Sequence, residues 1–173
     1  MKLIGVICGM LIGIIICIIF FKFNNTNGKI KAEYDERQNN VRGKSFKCGF
    51  YTMAVALMLQ FILSMAEISL PMEEPVIYFS IFTIGGIALI AHSILNGAYW
   101  GLNTNKKNYM VLFSICFVIN LLVAIMAFVR GNMIIEGNLS TPFVNFECAL
   151  ILLFVVVMLG VKSVADKKEE SEE

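Results

Sequence analysis

The sequence predicts an all-α integral membrane protein with five transmembrane helices, and three observations carry that reading. Five apolar runs recur along the chain: Leu3–Phe21, Cys48–Ala66, Val76–Leu95, Tyr109–Val129 and Phe143–Val161. Each is about 19 to 21 residues, the length a helix needs to cross roughly 30 Å of hydrocarbon. Four of them contain no Asp, Glu, Lys or Arg, and the fifth admits only Glu147. The composition agrees: 58% of the 173 residues are hydrophobic and 16% charged, with a mean hydropathy of +0.76. Such a chain would expose too much apolar surface as a water-soluble domain. The connections are too short for a second domain, so residues 1–173 read as one membrane domain.

The first run follows only Met1–Lys2 and exceeds a signal peptide's apolar core. Phe20-Phe21-Lys22-Phe23 follows it, with no small-x-small cleavage pattern, so it reads as a retained helix. Gly5, Gly9 and Gly13 stand four apart on it. A stripe of that kind lets another backbone approach where lipid supplies no hydrophobic drive between helices. Gly85, Ser93, Gly97 and Gly101 form a second stripe in and after the third run. The two stripes suggest that the first span packs on the third, or on a second copy of the chain.

Charge sets the expected orientation. Between the first two spans lie Lys22, Lys29, Lys31, Arg37, Arg42, Lys44 and Lys47. The next connection, Glu67 to Pro75, has no basic residue and the one after it, Asn96 to Asn108, has Lys106 and Lys107. The fourth has Arg130 alone, and the tail has Lys162, Lys167 and Lys168. Cytoplasmic loops carry the excess of Lys and Arg, which places the N-terminus outside and the C-terminus inside. Spans two and three, and four and five, then form two outward-pointing hairpins. Pro75 and Pro142 stand just ahead of their spans, where a missing N–H costs nothing. Ser140 or Thr141 is placed to cap the fifth helix.

Residues 22–47 form the expected cytoplasmic loop, and residues 162–173 a charged tail. Asn24-Asn25-Thr26-Asn27-Gly28 reads as a turn-forming linker. From about Ile30 the segment is helix-compatible and should run into span two, with Gly43 and Gly49 as bends. On such a helix Glu33 would pair with Arg37, and Asp35 with Arg42. The mixed signs of Asp35, Glu36, Arg37, Arg42 and Lys44 exceed what orientation needs, which marks them as candidates for an interaction.

Within the spans the polar residues Gln60, Thr83, Asn120 and Glu147, with Arg130 at an outer end, are the candidate ligand-binding layer. An intramembrane carboxylate is a functional hypothesis by default, although interhelical packing is the commoner use of such groups. Arg130 is an expected partner for Glu147. The lone His92 reads as a packing histidine, and the five cysteines show no CxxC or metal spacing. No GxSxG, HExxH or second buried acid appears, so no catalytic residue, metal or cofactor is expected.

Asp35-Glu36-Arg37-Gln38, then Arg42-Gly43-Lys44, then the aromatics Phe46, Phe50 and Tyr51, resemble an element of small multi-span membrane proteins of Gram-positive bacteria, a domain of unknown function. The resemblance covers roughly 20 residues. It implies a multi-pass protein of a bacterial plasma membrane and a working role for the cytoplasmic segment, and it carries no catalytic residue across. The expected function is that of a non-enzymatic accessory or regulatory membrane protein, acting through helix contacts and this segment. The alternative is a small transporter or ligand-binding subunit using the outer polar layer. The expected partners are the lipid bilayer and another copy or another membrane protein, not nucleic acid.

Overall fold

The structure, a computed structural model, describes residues 11, 13–15, 18–20, 22, 24–27 and 29–172, with side chains at the C-terminal end through 166 and at 168. Four helices in it are long and apolar enough to cross a membrane. They are α1 (Glu36–Met65), α2 (Glu74–Leu95), α3 (Lys106–Val129) and α4 (Phe143–Glu172). They correspond to predicted spans two to five. The predicted first span lies mostly outside the described residues, as do Gly5 and Gly9. Gly13 is described, and it is exposed with nothing within 4 Å of where its Cβ would stand. Among the described residues nothing packs closely at that position of the stripe.

Helix α1 begins at Glu36 rather than near Ile30, and a capping box marks its start. Asp35 accepts a hydrogen bond from the Gln38 amide at 2.6 Å, and the Gln38 side chain accepts one from the Asp35 amide at 3.3 Å. Two otherwise unpaired backbone donors are satisfied reciprocally. Residues Ala32–Asp35 stay out of the helix, so the expected helical pairs do not form. Glu33 instead meets Lys29 at 2.8 Å, and the Arg42 guanidinium lies over the Tyr34 ring at 3.9 Å. Neither Gly43 nor Gly49 interrupts the helix.

Helices α1, α2 and α3 all end in the same motif. After α2, Ala98 N–H donates to Ser93 O at 2.8 Å and Gly97 N–H to Ile94 O at 3.1 Å, with Gly97 at φ +69°. Gly131 at φ +71° does the same after α3. After α1 the left-handed position falls on Glu67, at φ +57°. This is the Schellman arrangement, which pairs carbonyls that the helix leaves open.

Packing joins neighbouring antiparallel helices, α1 with α2 and α3 with α4, and sets α2 beside α4 running the same way. Much of each helix remains apolar and exposed, as lipid-facing helices are: Phe50, Met58, Phe82, Phe128 and Val161 all stand outward. The α1–α2 contact is close. A Cβ on Gly49 would lie 2.8 Å from Gly85 O, and one on Gly85 would lie 2.8 Å from Met53 Cβ. Among the described residues Gly85 thus packs on predicted span two. Beside this crossing, the fully buried Ser45 places its Oγ 2.8 Å from His92 Nδ1.

The 66–73 and 130–142 connections meet at one end of the bundle, and residues 24–35 meet the 96–105 connection at the other. The first junction is partly β-structure, which an all-α reading does not contain. Ile134–Ile135 and Asn138–Leu139 form a two-residue antiparallel pair, β1 and β2, closed by Glu136 and Gly137 at φ +52° and +83°. Positive φ at both central positions is the turn that matches strand twist. Leu139 O then accepts Glu73 N–H at 2.8 Å, and Glu73 Oε2 accepts the Thr141 amide at 2.8 Å and hydroxyl at 2.6 Å. The Ser140 hydroxyl donates to Asn132 O. Neither residue's side chain therefore caps α4 as expected.

The two Thr141 bonds hold the Glu73 carboxyl below its ordinary value of 4.5. The folded state binds this proton more weakly than the unfolded chain does. The stabilisation is thus present above the ordinary value and is lost as pH falls through the lowered one. The protection factor of the Thr141 amide, relative to intrinsic exchange at each pH, is expected to fall on acidification, and Glu73→Gln should flatten that pH response. An unchanged pH response in the variant would refute the assignment.

Candidate functional site

The most extensively built polar region lies at the α1 N-terminus, against the 96–105 connection. Asn103, only 5% exposed, is its centre. Its Oδ1 accepts Glu33 N–H at 2.8 Å, and its Nδ2 donates to Asn27 Oδ1 at 2.9 Å and Lys31 O at 3.2 Å. Its backbone carbonyl accepts from the Thr26 amide at 2.8 Å and the Thr26 hydroxyl at 3.2 Å. Asn25, also 5% exposed, donates to Lys29 O at 2.7 Å, and Asn108 donates to Asn24 Oδ1 at 2.6 Å. The Asn-rich run expected to be a linker is thus a strap, bonded along its length to the α2–α3 connection. Asparagine suits this use because one side chain both donates and accepts.

The Asp-Glu-Arg-Gln run has a definite role here. Asp35 starts α1, and the Gln38 amide donates to Gly97 O and Trp100 O, both at 3.3 Å. Arg37 reaches Asn96 O at 3.5 Å. Gln38, Val41, Ser45 and Gly49 share one face of α1 at offsets of three, four and four, and that face meets α2 and its following loop. Glu36, Asn40, Lys44 and Lys47 fall on the opposite side and are exposed. Gly101 serves the strap rather than a helix contact: its Cβ would lie 3.0 Å from Ala32 Cβ and from Glu33 O.

Aromatic rings floor this region. Trp100 lies edge-on to Tyr99 at 4.9 Å and to Tyr109 at 5.9 Å, and stacks on Phe113 at 6.4 Å. Phe20 meets Tyr109 at 5.1 Å. Burial pushes the Tyr99 phenol up to about 12, with the nearby Tyr34 adding to the shift. Tyr99 and Trp100 open onto a cavity of about 800 Å³ whose far wall is α4, at Lys162, Ser163 and Asp166. Lys162 pairs with Asp166 at 2.7 Å.

The predicted polar layer does not converge. Asn120 donates to Cys116 O of its own helix at 2.8 Å. Glu147 meets Ser80 of α2 rather than Arg130. Arg130 is exposed and borders a cavity of about 480 Å³ between α3 and α4, together with Asn132, Thr141 and Asn145. Thr83 is buried, with its hydroxyl unpartnered among the described residues, and Gln60 stands on α1, part-buried. Ser93 is buried in the last turn of α2. Sequence reasoning missed Ser80, Asn25, Asn103 and the Tyr99–Trp100 pair. For the asparagines a signal was present, since Asn103-Thr104-Asn105 echoes Asn25-Thr26-Asn27.

No family model, curated protein or solved structure matches this chain.

Proposed function

We propose that this is a non-enzymatic accessory or regulatory membrane protein, which presents the α1 N-terminal end to a partner at the cytoplasmic surface of a bacterial plasma membrane. The observation that supports this most is the strap. Orientation alone needs a handful of lysines, yet here Asn24, Lys31 and Glu33 are tied by side-chain hydrogen bonds to the α2–α3 connection and the first turn of α3. That ordering holds the exposed face of Glu36, Asn40, Lys44 and Lys47 in a fixed relation to the bundle. A fixed polar face costs a partner less entropy on binding than a loose loop would. The resemblance of the Asp-Glu-Arg-Gln element to those of small bacterial membrane proteins points the same way. The expected orientation puts Glu73 and Asn138 outside, with Lys31 and Lys106 inside.

Two measurements test the reading. Single cysteines at Glu73, Asn138, Lys31 and Lys106 should divide two and two between membrane-impermeant labelling from the outer and inner sides. Labelling of all four from one side would reject the topology. The triple variant Glu36→Ala, Asn40→Ala, Lys44→Ala removes exposed side chains while the capping box and Gln38 stay intact. It should insert normally and lose co-purification of the partner that wild type retains from native membranes. An inserted variant that retains every partner would reject docking through this face.

A further inference from the structure

Ser80 has one hydroxyl proton and two oxygen neighbours. Its Oγ lies 2.9 Å from Val76 O, one turn back on α2. It also lies within hydrogen-bonding distance of Glu147 Oε1 on α4. A serine hydroxyl can donate only once. If that proton goes to Glu147, the Val76 carbonyl faces a second oxygen lone pair with no proton between them. If it goes to Val76, as serines in membrane helices commonly donate, the contact with Glu147 needs a proton from the carboxyl. Both contacts are satisfied together only when Glu147 is the neutral acid and its O–H donates to Ser80 Oγ. Ser45 makes the corresponding pair with Val41 O at 2.9 Å and His92 Nδ1 at 2.8 Å. Histidine can supply the second proton as a neutral ring, but a carboxyl can supply it only by being protonated.

The surroundings favour the same state. Glu147 is the fifth residue of α4, about 6 Å along the helix from Phe143 at 1.5 Å per residue. Among the described residues its Oε2 is buried without a partner, and so is Thr83 Oγ1, on a residue only 9% exposed. Ser80 and Thr83 lie three apart on one face of α2, away from the Gly85 face that meets α1. An ionised carboxylate there would have one donor for two oxygens in an apolar setting, a costly arrangement. The titratable groups towards this end are Glu67 and Glu73 before α2, Glu74 and Tyr78 on it, Arg130 at the end of α3, Glu136 between β1 and β2, and Cys148 beside Glu147. None of these is hydrogen-bonded or ion-paired to the carboxyl among the described residues.

We propose that Glu147 is an intramembrane proton-binding site: its acid form closes the α2–α4 contact through Ser80, and loss of the proton opens it. This goes beyond the docking role and holds whether or not a partner binds at the other end.

Dicyclohexylcarbodiimide, which modifies protonated carboxyls in apolar surroundings, is the probe. The carboxyl oxygen adds to the carbodiimide carbon, the acid proton passes to nitrogen, and rearrangement leaves an N-acylurea that peptide mass spectrometry can locate. Wild type should be modified at Glu147, with the yield falling as pH rises and the acid form is depleted. Glu147→Gln should lose the label yet keep the wild-type melting temperature at neutral pH, because a carboxamide still donates to Ser80. Three results would each overturn the proposal. They are an unlabelled Glu147 across the pH range, protection of Glu147 by sodium at fixed pH (a cation site instead), and a large loss of thermal stability in Glu147→Gln.

Discussion

Gly49→Ala is expected to destabilise the α1–α2 pair by about 1–3 kcal/mol, the usual cost of overpacking a close contact. The added Cβ would stand 2.8 Å from both Gly85 O and Leu89 Cβ. Neither atom is the far end of a flexible side chain, so the helices themselves must separate. Separation would also pull Ser45 from His92, one turn away on the same faces. Gly85→Ala should behave alike, meeting Met53 Cβ at 2.8 Å. Gly43→Ala on α1 and Gly86→Ala on α2 are the controls, because nothing lies within 4 Å of either Cβ position. Replacing glycine inside a helix there should help by roughly 0.5–1 kcal/mol. Thermal unfolding in detergent would rank the four variants. Equal melting temperatures across them would show that α1 and α2 do not cross at Gly49.

That contrast also shows where sequence reading ends. Apolar length is a one-dimensional property, so the four described spans were legible directly, and so were the prolines near the starts of α2 and α4. Glycine spacing marks where a backbone can approach, but not which helix approaches. Gly85 was legible as a packing position, whereas its partner Gly49 read as a bend. Gly97 and Gly101 share the spacing of Gly85 for unrelated reasons: one supplies positive φ at a helix end, the other makes room for Ala32. The region from Ile30 to Tyr34 has residues compatible with a helix. It stays out of helix because Asn103 and Leu102, some 70 positions later in the chain, take the Glu33 amide and carbonyl. Local propensity carries no information about such a distant competitor. The same limit hid Ser80, an ordinary serine until α4 brings Glu147 to it.

Asn103→Ala is expected to release the strap, with a cost of about 1–3 kcal/mol for polar groups left without partners. It removes the acceptor of Glu33 N–H at 2.8 Å and the donor to Asn27 and Lys31. Asn103→Asp should be no milder. A carboxylate can still accept from Glu33, but it faces Asn27 Oδ1 and the Lys31 carbonyl with no proton to offer either. Hydrogen exchange should quicken at Glu33 and its neighbours, and tryptic cleavage after Lys29 and Lys31 should become faster. The α1–α2 crossing should keep its protection, because Ser45, Gly49 and Gly85 lie outside the network. Asn40→Ala, on the exposed face of α1, is the matched control. Release should also be uneven. Thr26 bonds the backbone carbonyl of residue 103, at 2.8 Å from its amide and 3.2 Å from its hydroxyl. A side-chain substitution leaves that carbonyl in place. Residues 27–33 should therefore loosen while Thr26 stays bound, and Leu102 N–H, 2.7 Å from Glu33 O, should hold the far end until the strap frays. Uniform protection of residues 24–35 in the Asn103→Ala variant would mean that the strap is held by something other than this asparagine.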